Sequence, residues 1–165
     1  MTDIEQQDNY FAGVGGICVR DGKVLLVRHT YGAANSRLLI PGGYMKFGEL
    51  PQDAVKREIY EETGVTVEVG GLIAVRCEPQ GWYLAFIARY VSGEPRSDGA
   101  ENSAAAFFDC AEVLRRSDVT NTSLELVRLA LTREPIEPSY IAPTDSAKNR
   151  VWFTSNGKEI NDDTH

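Results

Sequence analysis

The sequence predicts a single α/β domain, and three observations carry that prediction. Asp21-Gly22 stands between two apolar-rich runs, Phe11–Arg20 and Lys23–Arg28, which is the pattern of a two-residue β-hairpin. A helical stretch from about Pro51 to Thr63 opens on a proline and closes on Gly64. Short β-type runs follow it, and a second long helical segment comes near Thr132. With 165 residues, 42% hydrophobic and 25% charged, the chain has the length and composition of one globular domain with a proper core.

Each element has its own signal. Leu38–Ile40 reads as a short strand, and Pro41-Gly42-Gly43 after it as a tight turn or loop. In the first helix Pro51 suits the opening turn and Gly64 the left-handed residue that ends it. Leu50 stands where a capping Ser, Thr or Asp is usual, so this N-terminus is unconventional. Thr66–Glu68, Leu72–Arg76 and Trp82–Val91 read as strands, and Gly93–Asn102 as a loop. A strand near Ala104–Asp109 and a short helix near Ala111–Arg116 come next. The last helix opens on a capping box from Thr122 to Glu125 and runs to about Thr132. The chain divides into an arm (residues 1–10), a domain (11–133) and a tail (134–165). Pro135, Pro138 and Pro143 among polar residues allow the tail to be disordered. Tyr140, Ile141, Val151, Trp152 and Phe153 favour docking on the body or on a second copy, which leaves a homodimer open.

Composition excludes several classes. A formal net charge of −7 argues against general affinity for nucleic acid, which is gained by neutralising phosphates. The same charge repels a phosphorylated small molecule, unless a bound divalent cation reverses the field locally. The N-terminus MTDIEQQDNY is polar and acidic, unlike a secretory signal, and no apolar run reaches the length of a membrane span. Cys18, Cys77 and Cys110 show no metal-ligand spacing and read as reduced thiols of a cytoplasmic protein.

The chemistry is concentrated between Gly43 and Val65. Glu58, Glu61 and Glu62 stand at i, i+3 and i+4 and so share one side of the helix. A solvated acidic face is the bland account, but on a helical wheel Glu62 falls roughly 20° from Val55, in the apolar sector. A carboxylate pushed toward a core costs several kcal/mol unless a cation or hydrogen bonds satisfy it. Oxygen ligands of this kind suit Mg²⁺ or Mn²⁺, which keep some waters and take further ligands from phosphates. Arg57 reads either as a phosphate clamp or as an ion pair steadying Glu61 or Glu49, and the second is favoured.

Written as a pattern, this segment is G, five residues, E, seven residues, R-E-aliphatic, one residue, E-E, one residue, G-aliphatic. Nine specified positions would match by chance about once in 10⁹–10¹⁰ starts. The segment resembles the signature box of the Nudix hydrolases at every position, and the resemblance covers about Phe11–Leu131. It implies a mixed β-sheet sandwiched between helices, with a loop-helix-loop metal site. It implies hydrolysis of a pyrophosphate bond in a nucleoside diphosphate linked to another group, with Mg²⁺ (or Mn²⁺). Glu58, Glu61 and Glu62 are then metal ligands, with Glu49 and the backbone carbonyl at Gly43 as further ones. Arg57 orients a carboxylate, and Glu58 or Glu101 handles the water. Arg28 and Tyr83 are candidate substrate contacts. Pro79 and Tyr83 lie where family members carry marks of ADP-ribose and dinucleoside polyphosphate substrates respectively, so those hints diverge. Tyr44, Trp82 and Tyr83 are candidates to stack on a base. ADP-ribose or a nucleotide sugar is the expected substrate, and a nucleoside triphosphate or dinucleoside polyphosphate the alternative. A non-catalytic nucleotide sensor is the rival class, disfavoured because every box residue is present. His29, at the end of the second strand beside Arg28, reads either as facing a phosphate or as solvent-exposed, and the second is favoured.

Overall fold

The computed structural model describes residues 10–139 and 152–153. The predicted hairpin forms from β1 (Phe11–Arg20) and β2 (Lys23–His29), with Val19 opposite Val24. Its turn residues Asp21 and Gly22 both take positive φ, 50° and 73°, as a two-residue hairpin requires. A 3-10 turn (Gly32–Ala34), β3 (Leu38–Leu39) and β4 (Gly42–Tyr44) lead to helix α1 (Pro51–Thr63). Then come β5 (Thr66–Glu78), β6 (Gly81–Ser92), β7 (Asn102–Asp109), α2 (Cys110–Val113) and α3 (Asn121–Thr132). Among the described residues, no helix is long and apolar enough to cross a membrane.

The strands join in one mixed sheet ordered β3-β2-β1-β6-β5, with β4 also on β1 and β7 also on β2. Among the described strands, only β1 and β6 pair in parallel, from Phe11 opposite Gly81 to Cys18 opposite Ala88. Both faces of the sheet are covered, and the two-residue side-chain period of β2 displays this. Val24 and Leu26 pack with Val119, Leu126 and Val127 on the α3 side. Leu25, between them, packs with Val55 and Ile59 of α1. The expected mixed sheet sandwiched between helices is therefore the fold, and the α1 face is anchored by fully buried Val55 and Ile59. Burying an aliphatic side chain of this size contributes about 1.5–3 kcal/mol.

Several boundaries differ from expectation. Gly42–Tyr44 is a strand rather than a turn, pairing antiparallel with Gly13–Gly15. Its approach is so close that a Cβ on Gly42 would run into the Val14 carbonyl oxygen. The two short strands expected over 66–76 are one strand, with register shifts between Val69 and Ala74 that spare Gly70-Gly71 from regular pairing. Leu72 exchanges both backbone hydrogen bonds with Ile136 at 2.8 Å, so the start of the tail lies on this strand. The short helix ends earlier than expected, with Asp109 as its cap. The cap of α3 is Thr120, not Thr122: the Thr120 hydroxyl accepts from the Ser123 amide, and the Thr120 amide donates to Leu38 O at 2.9 Å. That tertiary bond sets the chain extended two residues before the local box could act. Leu50 makes no side-chain cap, and Gly64 is left-handed at φ 72°, both as expected. Farther along, Pro138–Ser139 (β8) pairs with Trp152–Phe153 (β9). Residues 1–9, and Tyr140, Ile141 and Val151 of the tail, lie outside the described residues.

Candidate active site

Helix α1 brings the box carboxylates to β4 because β4, α1 and β1 are tied through Gly42–Tyr44. Glu62 is 3% exposed, as the wheel predicts, and accepts a hydrogen bond from the Gly42 amide at 3.0 Å. Burial pushes its carboxyl above the usual range, opposed by His29 and by that amide. Glu58 lies against Gly43, where an added Cβ would meet its carboxyl at 2.6 Å. Burial raises the Glu58 carboxyl too, with Arg57 opposing and Glu61 and Glu101 adding to the rise.

Arg57 is the hub of this corner. Its Nε donates to Glu49 at 2.6 Å, and Nη1 to Glu58 at 2.6 Å and Glu61 at 3.0 Å. Its Nη2 donates to Glu49 and to the Tyr44 carbonyl, each at 3.0 Å. The expected pairing with Glu49 or Glu61 is thus both at once, with Glu58 added. Glu49 also accepts from the Lys46 amide at 2.8 Å. Its hydrogen bonds to Arg57 hold its carboxyl far below the usual range, at about 2. Glu49 stands behind Arg57 and is not in the cleft lining, whereas Glu58, Glu61 and Glu62 are. Among the described residues, no three carboxylate, His or Cys side chains already stand together closely enough to hold a metal. Arg57 keeps Glu58 and Glu61 turned toward itself.

The cleft over this corner has a volume of about 520 Å³, and its far wall is the loop that carries Glu101 and Asp98. Glu101, 43 residues beyond Glu58 in sequence, thus shares a cleft with it. Two devices hold the loop. Asp98 Oδ1 accepts from the amides of Ala100, Glu101 and Asn102 at 2.9 to 3.0 Å. Thr30 donates to the Glu101 carbonyl from both its amide and its hydroxyl, at 3.1 Å each. Buried Asn102 donates to the Glu62 carbonyl at 2.9 Å, fastening the loop to α1.

Other predicted residues fall elsewhere. Arg28 donates to Asp118 at 2.9 Å and to the Ser36 carbonyl at 2.5 Å, and it lines none of the clefts described here. Tyr83 lies across Gly13 and Gly15 and lines two chambers adjoining the carboxylate cleft. Tyr44 lines all three, while Trp82 packs edge-on against Tyr10 and lines none. His29 is not exposed: its Nε2 is buried, 3.7 Å from Glu62, without a hydrogen-bond partner. Tyr31 carries no local sequence signal, yet its ring stacks on His29 and its hydroxyl stands 3.5 Å from Glu101. Only the pairing of β2 with β7, which sets His29 opposite Asn102, puts these residues at the site.

The model of the NUDIX domain matches residues 9–129. The chain belongs to the Nudix family. Among its relatives, an ADP-ribose pyrophosphatase of Methanocaldococcus jannaschii is 34% identical over 58% of this chain and 60% of that protein. An NAD-capped RNA hydrolase of Vibrio parahaemolyticus is 31% identical over 57% of this chain and 36% of that one. The chain thus spans between about a third and two thirds of these relatives. The crystal structure of a MutT Nudix hydrolase from Burkholderia pseudomallei superposes with a TM-score of 0.64 at 25% identity, covering 72% of this chain and 96% of that one.

Proposed function

We propose that this Nudix hydrolase cleaves the pyrophosphate bond of a nucleoside diphosphate linked to a second group, ADP-ribose or a nucleotide sugar, with Mg²⁺ or Mn²⁺ as cofactor. The observation that carries this reading is the one cleft in which Gly43, Glu58, Glu61, Glu62 and Glu101 meet. The similarity to an ADP-ribose pyrophosphatase supports the choice of substrate. The donor set fits a hard cation: every candidate ligand is an oxygen. Two of the carboxyls are held above their usual range by burial, a cost that a cation offsets. The glycine at position 43 leaves the room that a Cβ would fill.

Glu58, Glu61 and Glu62 would hold the metal, with the Gly43 carbonyl as a further ligand and Glu49 acting through Arg57. When bound, the cation neutralises phosphate oxygens and lowers the pKa of a water. Arg57 keeps the carboxylates oriented through its fork of hydrogen bonds. Glu101 stands on the opposite wall and takes the proton of the attacking water, with Glu58 as the second candidate. Positioning by these fixed groups supplies much of the rate. The net charge of −7 favours a small nucleotide over a polynucleotide as partner. Three free cysteines accord with a cytoplasmic setting.

The test is a hydrolysis screen with and without Mg²⁺, with product identification. It covers ADP-ribose, nucleotide sugars, dinucleoside polyphosphates and nucleoside triphosphates, with Glu61→Gln and Glu62→Gln as controls. Metal-dependent release of a nucleoside monophosphate from the first two, lost in both variants, is expected. Nucleotide binding without turnover of any of them would sink the reading.

A further inference from the structure

Past Tyr31 and Tyr44 the carboxylate cleft opens into two adjoining chambers of about 520 and 640 Å³. These two tyrosines line all three spaces and stand at the junction. The larger chamber differs in character from the cleft. Its lining includes Arg37 and Arg76 and no carboxylate, in a chain of net charge −7. Tyr83 forms one wall, with the Arg76 guanidinium 5.1 Å from its ring centre.

Tyr31 is the unusual residue here. The residue is 51% exposed although it stands at the mouth of the carboxylate cleft. His29 lies almost parallel to it, with ring centres 5.1 Å apart and planes 19° apart. The His29 side chain is only 13% exposed, so it is a fixed support. One face of Tyr31 is therefore backed by a packed ring, while half of the residue stays exposed where the three spaces meet. Exposed aromatic surface beside a pocket marks a binding surface, and flat rings prefer offset stacking partners. The larger chamber also carries Thr120, Asn121, Thr122 and Ser123, whose hydroxyl and amide groups suit the hydroxyls of a ribose. A planar, electron-rich base suits the tyrosine platform and a flanking arginine.

We propose that Tyr31 is the platform on which the nucleobase of the substrate stacks, with the nucleoside extending toward Tyr83 and Arg37. The inference rests on the nucleotide substrate proposed above and says where its base goes. The diphosphate then lies over Gly43 and the box carboxylates, and the linked group lies away from the chamber.

The test uses the full chain with Mg²⁺ and two uncleavable probes, AMP and ribose 5-phosphate, measured by calorimetry beside ADP-ribose hydrolysis. Stacking on an aromatic ring changes base affinity by about five- to hundredfold on removal of the ring. Wild type binds AMP more tightly than ribose 5-phosphate. Tyr31→Ala loses about that factor for AMP and nothing for ribose 5-phosphate, with Tm unchanged because the residue is half exposed. Tyr31→Phe retains AMP affinity, which separates the ring from the hydroxyl that faces Glu101. Undiminished AMP affinity in Tyr31→Ala, beside normal hydrolysis by wild type, overturns the platform and leaves the hydrolase reading standing. So does an equal loss in Tyr31→Phe, which would make the hydroxyl the operative group. A wild type that neither binds AMP nor cleaves any nucleotide overturns both.

Discussion

The Glu58 carboxyl occupies the space that a side chain on Gly43 would need: an added Cβ would meet its Cδ and Oε2 at 2.6 Å and its Oε1 at 2.7 Å. The helix and β4 can approach each other this closely only because position 43 has no Cβ. Gly43→Ala forces the end of a side chain, not backbone, to move. Stability is expected to change little, while kcat falls about 100-fold, the scale of a 1 Å misplacement of a reacting group. Steady-state kinetics and a thermal melt check both halves. Activity within threefold of wild type would mean that Glu58 need not stand where it does.

Arg57 joins four chain positions through one guanidinium, namely Tyr44, Glu49, Glu58 and Glu61. Glu49 and Glu58 keep only 19% and 13% of their side-chain surface exposed. Arg57→Lys retains the charge and loses the planar fork, so it can serve one or two of these acceptors but not all. Mostly buried carboxylates left without donors cost about 1–3 kcal/mol. Arg57→Lys should therefore lower the urea midpoint clearly and reduce activity by at least about tenfold, since the carboxylates lose their orientation. A Lys variant with wild-type stability and rate would reduce Arg57 to a bystander.

These relationships were unevenly legible in the sequence. The hairpin at Asp21-Gly22 and the helix between Pro51 and Gly64 are local events, set by turn chemistry and by a proline and a glycine at the ends. The three box glutamates are legible for the same reason, since helical spacing alone puts them on one side. What depends on pairing between distant strands was not legible. Gly42–Tyr44 reads as a turn until β1 is beside it. Arg28 reads as a free cation until Asp118, 90 residues away, is found beside it. His29 and Tyr31 become site residues only through the register of β2 on β7. The capping box at Thr122 satisfied a local rule, but the bond from the Thr120 amide to Leu38 O moved the cap two residues back.

Asp118 gives a prediction in pH. Hydrogen bonds from Arg116, then from Arg28, hold its carboxyl well below the ordinary aspartate value of 3.8. A carboxyl with a depressed folded-state pKa contributes stability that is fully present above the unfolded value and lost as pH falls through the folded one. The stability gap between wild type and Asp118→Asn should therefore be constant near neutrality and close as pH falls below about 4. Because the pair is a third exposed, the gap should be about 1 kcal/mol or less. Urea unfolding of both proteins at pH 7, 5, 4 and 3 measures it. A gap that widens in acid would contradict the assignment.

Asp98 tests the wall opposite the box. One of its oxygens accepts from the amides of Ala100, Glu101 and Asn102, so a single carboxylate shapes the turn that presents Glu101 to the cleft. Asp98→Ala removes this shaping without touching Glu101 itself. Each hydrogen bond lost on an exposed loop costs little, so global stability should drop by about 1–2 kcal/mol, since water can replace the acceptor. Hydrolysis should fall by at least about tenfold in kcat with KM nearly unchanged, because the group that is displaced acts on the water and not on substrate binding. Glu101→Gln should lower kcat in the same way, and the double variant should be no worse than Glu101→Gln alone, since both act through one carboxylate. Additive losses in the double variant would mean that Asp98 reaches the reaction by a route other than Glu101.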